Sequence, residues 1–201
     1  MEIITGIDQG SDEWLELRAG KVTASNFSKV LSKGQGKTRN SYMYQLAAEI
    51  LTGAPAETFK NSAMEWGNEC EPQARAMYEL ESDCDVEEVT FIHGPEMVGV
   101  SPDGLVGDNG LLEIKCPSTT TQIERYLSGK FPTTYKAQVQ GQLWVAERDW
   151  CDFVSFDPRI DGAASYMCLR VQRDDEYINN LSVEVDRFIE DLLNILEKLR
   201  G

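Results

Sequence analysis

Two apolar runs that flank a turn constrain the fold of this chain more than any other feature. The segment VGVSPDGLVGDNGLLEIKCP covers residues 98–117, and its GDNG turn separates runs rich in valine, leucine and isoleucine. Such runs, joined by a turn that contains glycine, predict a β-hairpin. The first run nevertheless carries Asp103 and the second carries Glu113 and Lys115, where a buried strand is normally apolar. The hairpin is therefore also a candidate site.

The spacing of these charges predicts that they meet. Side chains alternate along a strand, so Glu113 and Lys115 share one face at about 7 Å from each other. A loop of three or five residues within VGDNG pairs Asp103 directly opposite Glu113. Two opposed carboxylates are destabilising unless a cation lies between them, and a hard cation such as magnesium accepts carboxylate oxygens. The backbone carbonyl of Ile114 is the most plausible further oxygen ligand.

An exposed hairpin with an ordinary ion pair between Glu113 and Lys115 is the simpler alternative. Pro102 and Gly104 bracket Asp103, and the apolar neighbours indicate a buried strand. Because a buried charge without a partner is very costly, this context favours a site. The arrangement P-D-x9-E-x-K matches the PD-(D/E)xK nuclease signature, which is moderately specific on a strand, turn, strand frame.

The charge distribution leaves a nucleic-acid partner open. The net charge is -15, whereas phosphate binding normally requires a basic surface. Residues 18–39, however, contain six basic residues and no acidic one, and the acidic residues are concentrated in 61–110 and 151–201. Residues 18–39 therefore predict an anion-binding surface on an acidic body, with an ordinary solvent-facing basic segment as the alternative.

The order of predicted elements is helices, then strands, then helices. Ser11 followed by two acidic residues predicts a helix start, Asn40 or Ser41 opens a longer helix, and Ser62 with Glu65 forms a capping box. Pro72 is expected to kink or interrupt that helix. Strands are predicted at 86–92, 97–103, 111–116, 151–156 and 165–171, and helices at about 118–128, at 133–147 and over the last 25 or so residues.

This order predicts an α/β (α+β) fold with a central mixed β-sheet flanked by helices. At 201 residues the chain is expected to form a single domain. Within it, residues 1–60 form a helical, basic, DNA-contacting part, residues 61–171 the nuclease core, and residues 172–201 a C-terminal helix. No apolar run is long enough to cross a bilayer, so no membrane partner is expected.

Other chemistries are disfavoured by residue type and spacing. Five scattered cysteines without a C-x-x-C pair predict reduced, mostly buried thiols and neither a zinc site nor an iron-sulfur cluster. His93 is the only histidine, and its place at a predicted strand end argues against nucleophilic catalysis by a Ser-His-Asp or Cys-His arrangement.

A series of motifs resembles the phage lambda exonuclease family, the viral recombinases of YqaJ type. These are WLELRAGKVTAS, WGNECEPQAR, SPDG, LEIKCP and YKAQVQGQLWV, in that order, from about residue 9 to past residue 160. The resemblance implies a restriction-endonuclease-like core and magnesium-dependent digestion of linear double-stranded DNA from 5'-phosphorylated ends, which leaves a 3' single-stranded overhang. It also implies two Mg²⁺ per active site with Mn²⁺ as a substitute, a homotrimer ring, a single-strand annealing protein as partner, and a phage or prophage gene product in the cytoplasm of a bacterial host.

The resemblance also implies roles for individual residues. Asp103 and Glu113 would bind metal, and Lys115 would orient or activate water. Glu71 and Gln138 match polar residues beside the metals. The remaining matches are to the 5'-phosphate pocket and to an apolar wedge that parts the strands: Arg18, Ser25 and Ser101 in the pocket, and Met64 as the wedge.

Two alternatives to a 5'-to-3' exonuclease remain open. An endonuclease on the same fold would also cut covalently closed circles. A non-catalytic module that binds DNA or loads a recombinase would not need Asp103, Glu113 and Lys115 together.

Overall fold

The structure is a computed structural model that describes residues 2–32, 37–56 and 62–201. The helices are α1 (Asp12–Arg18), α2 (Phe27–Val30), α3 (Lys37–Thr52), α4 (Ser62–Ser82), α5 (Thr119–Ser128), α6 (Lys136–Val145) and α7 (Asp175–Arg200). The strands are β1 (Glu2–Ile4), β2 (Val22–Thr23), β3 (Val86–Glu87), β4 (Phe91–His93), β5 (Val98–Val100), β6 (Gly104–Val106), β7 (Gly110–Lys115), β8 (Trp150–Phe156) and β9 (Tyr166–Gln172).

The strands form two mixed sheets instead of one. One sheet has the order β1-β4-β5-β2, with β2 and β5 parallel, and the other has the order β3-β6-β7-β8-β9, with β7 and β8 parallel. The parallel pair β7 and β8 is joined by the crossover through α5 and α6, as parallel pairing requires. The predicted α/β class with a mixed sheet flanked by helices is confirmed.

The break between the sheets lies where the sequence analysis predicts one strand over 97–103. β5 ends at Val100 in the first sheet, and β6 begins at Gly104 in the second. Pro102 lies between them and lacks a backbone N–H for a strand ladder. The prediction of a single strand is therefore wrong, and Ser101 to Asp103 form the crossing from one sheet to the other.

Local capping explains the start of α1, and the predicted start of the long helix is wrong. The Ser11 hydroxyl accepts a hydrogen bond from the Trp14 N–H at 3.2 Å, as expected for an N-cap. The long helix predicted from Asn40 or Ser41 already includes Lys37, so α3 is at least three residues longer. Pro72 lies inside α4 and does not interrupt it, because packing against β7 and β8 maintains the helix.

The inner face of α7 provides much of the main core. The predicted apolar stripe is buried and packs with α3 and α6 over the sheets; it consists of Ile178, Leu181, Val185, Phe188, Ile189 and Leu192. The opposite face is rich in charged residues. Throughout the described part of the chain, no helix combines the length and apolar character needed to cross a membrane.

The cysteines are less buried than the sequence analysis predicts. All five are free, but only Cys70 and Cys151 are fully buried, and Cys168 is exposed. Cys168 lies on β9, an edge strand whose side chains alternate between the core and solvent. The expectation of mostly buried thiols is therefore wrong.

Candidate active site

The β6–β7 hairpin brings Asp103 to the side of β7. Its register pairs Gly104 with Leu112, so the next position outward places Asp103 opposite Glu113, as the three-residue loop predicts. The Asp103 N–H donates to the Leu112 carbonyl at 3.1 Å, and its carboxylate accepts the Ile114 N–H at 2.5 Å. Since the N–H and C=O of one strand residue point to the same side, the Ile114 carbonyl faces this edge too.

Glu113 is held from three directions. It is 1% exposed, and it forms an ion pair with Lys115 on its own face of β7. From α6, Gln138 Nε2 donates to Glu113 Oε1 at 2.5 Å and Gln142 Nε2 donates to Oε2 at 2.7 Å. Gln138 is predicted from the sequence and Gln142 is not, although their spacing of four residues on one helix places both amides on one face.

Glu71 joins this group from α4. It lines the same cleft as Asp103, Ile114 and Lys115, and its Oε1 accepts a hydrogen bond from Arg75 Nη2 at 2.7 Å. Arg75 Nη2 also lies 3.3 Å from the Asp103 carbonyl oxygen. Arg75, which the sequence analysis misses, therefore connects Glu71 to the loop that carries Asp103.

The carboxylates of this cleft oppose one another's ionisation. Burial and the charge of Glu113 raise the pKa of Asp103 well above its usual range, and Lys115 only partly offsets this. Burial, with Glu113 adding to it, also raises the pKa of Glu71 despite the nearby Arg75 and Lys115. Burial lowers the pKa of Lys115, but the carboxylates of Glu113 and Asp103 outweigh it, so this pKa is raised and the ammonium stays charged.

The donor set fits a magnesium ion. Among the residues that the structure describes, no group of three or more His, Cys, Asp or Glu side chains is arranged to hold a metal by itself. Asp103 and Glu113 contribute two carboxylates, and the Ile114 carbonyl adds a backbone oxygen. Magnesium commonly uses one or two carboxylates and completes its shell with water and substrate phosphate. A cation here would offset both the burial and the repulsion by Glu113 that raise the pKa of Asp103.

A second group of polar side chains forms an anion pocket at the end of α1. Arg18 donates to the hydroxyls of Ser101 at 3.3 Å, Thr23 at 3.3 Å and Ser25 at 3.1 Å. Its guanidinium lies 4.1 Å from the centre of the Trp14 ring, and Trp14 Nε1 donates to the Ser101 hydroxyl at 3.1 Å. The three residues predicted from sequence are brought together, whereas Trp14 and Thr23 are additions.

Arg18 is a buried cation that forms no ion pair among the described residues. Burial lowers the pKa of its guanidinium to about 10, which indicates a desolvated cation. Its hydrogen-bond and ring partners are neutral, and the Glu49 carboxylate acts on it only as a nearby charge. The N–H groups of a buried guanidinium without an ion pair are well placed to bind the oxygens of a phosphate.

One face of α4 connects the two regions. Met64, which is 50% exposed, lines the cleft that contains Glu71 and Asp103 and also the cleft that contains Arg18. Asn68, one turn further along α4, lines both clefts as well. An extended phosphodiester chain that follows this face would pass from the anion pocket to the carboxylates.

Comparison with known proteins gives the family of this chain. Residues 13–149 match the model of the YqaJ-like viral recombinase domain. The chain belongs to this family.

Solved structures with the same fold include a close relative. The alkaline exonuclease LHK-Exo from Laribacter hongkongensis is 43% identical, with a TM-score of 0.89 over 94% of this chain and 96% of that one, and the same values hold for its complex with dAMP. A phage-related exonuclease from Haemophilus somnus, 20% identical, shares the fold with a TM-score of 0.69 over 89% of this chain and 96% of its own.

One curated relative is much longer. An uncharacterised protein of Acanthamoeba polyphaga mimivirus is 28% identical over 167 residues, which cover 75% of this chain. The match spans only 29% of the mimivirus protein.

Proposed function

We propose that this protein is a magnesium-dependent exonuclease that digests one strand of linear double-stranded DNA from the 5' end. Digestion would leave a 3' single-stranded overhang for recombination by strand annealing. The observation that carries the proposal is that Asp103 and Lys115 line one cleft, with the buried Glu113 ion-paired to Lys115, and that the face of α4 connects this cleft to the Arg18 pocket. The name of the relative LHK-Exo and its complex with dAMP, a deoxynucleoside monophosphate, support the same activity.

The proposed reaction is hydrolysis of the first phosphodiester bond at the cleft. Asp103, Glu113 and the Ile114 carbonyl would hold the metal. Bound magnesium, one or two ions, supplies charge neutralisation at the phosphate and lowers the pKa of water, and manganese can replace it. Lys115, beside Glu113, would orient the attacking water through its ammonium, and Gln138 would keep Glu113 in place. Water attacks phosphorus, and the leaving 3' oxygen takes up a proton.

The anion pocket would give the reaction its direction. Arg18, Ser25 and Ser101 would bind the terminal 5' phosphate, so that the next phosphodiester lies at the carboxylates of the neighbouring cleft. Met64, on the α4 face between the two regions, would act as the wedge that separates the strands. Two members of this pocket come from residues 1–60, which supports the proposed role of that part in contacting DNA.

The proposal extends to the assembly. We propose a homotrimer ring around the duplex, a single-strand annealing protein as partner, and action in the cytoplasm of a bacterial host that carries the phage or prophage gene. The net charge of -15 with a local cationic pocket fits a duplex that enters by one route, because net negative charge repels DNA phosphates elsewhere.

A gel assay on matched substrates tests the proposed function. Linear duplex with 5' phosphates should shorten in Mg²⁺, should stay intact in chelator, and should release deoxynucleoside monophosphates. Covalently closed circles of the same sequence should remain intact. Cutting of circles would instead establish an endonuclease, and DNA binding without any cleavage in Mg²⁺ or Mn²⁺ would establish a non-catalytic module.

A further inference from the structure

Gln138 and Gln142, on one face of α6, both donate hydrogen bonds to the carboxylate of Glu113. Gln138 Nε2 donates to Glu113 Oε1, and Gln142 Nε2 donates to Glu113 Oε2 at 2.7 Å. Because each amide takes a different oxygen, the pair fixes the rotation of the carboxylate as well as its position. One amide alone would leave that rotation free.

The two glutamines differ in burial. Gln138 is partly exposed, whereas Gln142 is 1% exposed and lies behind the carboxylate. Gln142 therefore does not face the cleft, and any influence on the reaction passes through Glu113.

An unpaired atom shows what determines the orientation of Gln142. Its amide oxygen Oε1 is buried and has no hydrogen-bond partner among the described residues. A buried polar atom without a partner is unfavourable for stability. Turning the amide over would place Oε1 against Glu113 Oε2, two acceptors with no proton between them. An apolar side chain of similar length would avoid the cost, so the amide is better explained by its donation to Glu113 than by packing.

Gln142 also reaches the anion pocket. Its Nε2 lies 3.5 Å from the carbonyl oxygen of Ser101, whose hydroxyl accepts a hydrogen bond from Arg18. One amide nitrogen thus contacts the carboxylate of the metal cleft and the backbone of the phosphate pocket.

We propose that Gln142 is a positioning residue that orients Glu113 for metal binding and ties it to Ser101 at the anion pocket. This inference rests on the proposed nuclease function. Groups that hydrogen-bond to metal ligands typically change metal affinity or activity by about 10–100-fold. We expect a loss of that size in Mg²⁺ affinity, in kcat, or in both when the amide is removed.

Gln140 provides a matched control on the same helix. It is also 1% exposed, but its Nε2 donates to the Gln172 carbonyl at 2.8 Å and its Oε1 accepts the Asp174 N–H at 2.8 Å. It makes no contact with Glu113 that the structure records. Gln140→Met therefore removes a buried amide of the same size as that of Gln142, but one whose recorded hydrogen bonds are to the backbone of Gln172 and Asp174.

The experiment compares Gln142→Met with Gln140→Met. Mg²⁺ binding is measured by calorimetry without DNA, kcat and KM are measured on linear duplex, and the Tm of each variant is recorded. Gln142→Met should lose about 10–100-fold in Mg²⁺ affinity or kcat while its KM for DNA stays within about threefold. Gln140→Met should lower the Tm and leave Mg²⁺ affinity and kcat within about twofold. Equal behaviour of the two folded variants would overturn the inference.

A second variant covers the case in which Gln142→Met does not fold. Gln142→Glu keeps the shape but donates to Glu113 only when the new carboxyl is protonated, so its kcat relative to wild type should rise as the pH is lowered. A ratio independent of pH would count against the inference. If wild-type protein binds Mg²⁺ but cleaves no DNA, the proposed function fails, whereas the Mg²⁺ titrations of the variants still decide the role of Gln142.

Discussion

Glu113 and Asp152 are buried carboxylates on adjacent strands, yet their surroundings differ. Asp152 on β8 is paired in register with Leu112, the neighbour of Glu113 on β7. Arg170 donates to the Asp152 carboxylate with two nitrogens at 2.8 and 2.7 Å, and the Tyr78 hydroxyl donates to it at 2.8 Å. The Arg170 guanidinium thus neutralises the Asp152 carboxylate, so this pair needs no added cation.

Glu113 belongs to a group that is not neutral by itself. Lys115 faces both Glu113 and Asp103, so one ammonium serves two carboxylates, and Glu71 lies in the same cleft. The comparison shows that burial of a charge does not identify a functional site. An excess of carboxylates beside an open cleft is the better sign, because a bound cation balances it and lets the carboxylates ionise.

The largest expected effect is a loss of kcat when Lys115, the ion-pair partner of Glu113, is removed. Lys115→Ala should lower kcat on linear duplex by about 100-fold or more, because the group that positions the attacking water is lost. Lys136→Ala is the matched control, since Lys136 forms an ion pair with Asp174 at 2.8 Å on the surface, and it should keep kcat within about twofold. Near wild-type digestion by folded Lys115→Ala would break the assignment of this cleft.

The opposite pattern is expected for Asp152. Asp152→Ala removes the acceptor of the buried Tyr78 hydroxyl and should lower the free energy of unfolding by about 1–3 kcal/mol. Turnover by the folded fraction should change by less than about twofold, as measured by denaturant unfolding alongside the nuclease assay. Adding Tyr78→Phe should recover part of the lost stability. A loss of turnover without a loss of stability would contradict the structural role of Asp152.

Arg18, a buried cation without an ion pair in the described part of the chain, is expected to serve ligand binding, as Asp103 and Glu113 are proposed to do. Arg18→Ala should reduce the rate advantage of 5'-phosphorylated over 5'-hydroxyl duplex by about tenfold, because hydrogen bonds to a charged group contribute about 1.5–3 kcal/mol. Arg39→Ala is the control in the same basic segment, because Arg39 already pairs with Asp191 at 2.8 Å. An unchanged phosphate preference in folded Arg18→Ala would place the pocket elsewhere.

The smallest expected effect concerns Asp157, a second buried carboxylate whose charge is neutralised by an arginine of the protein. Burial acts to raise its pKa, but hydrogen bonds from Arg159 and Thr119 outweigh burial, so the folded pKa lies below the usual value. The stabilisation is therefore present above the unfolded pKa of about 3.9 and is lost as the pH falls through the folded pKa. Asp157→Asn should reduce the acid sensitivity of unfolding. Identical dependence on pH in both proteins would exclude this contribution.

Much of the framework was predictable because its signals are local. The Ser11 cap, the apolar stripe of α7 and the turn at 107–109 depend on residues close in sequence. The same turn predicts the opposition of Asp103 and Glu113, because the register of a hairpin follows from its loop length. The two short strands β1 and β2 were not predicted, since pairing with β4 and β5 defines them.

The sequence by itself determined the hairpin, the P-D-x9-E-x-K pattern and the residue types of the anion pocket. The tertiary structure decided which buried carboxylate is neutralised within the protein, since Asp152 gains Arg170 from β9 and Tyr78 from α4, whereas Glu113 shares Lys115 with Asp103. It also brought Trp14, Arg75 and Gln142 to the site from three separate helices. These contacts link residues about 30 to 90 positions apart, and such contacts arise from packing of whole elements and not from local sequence preference.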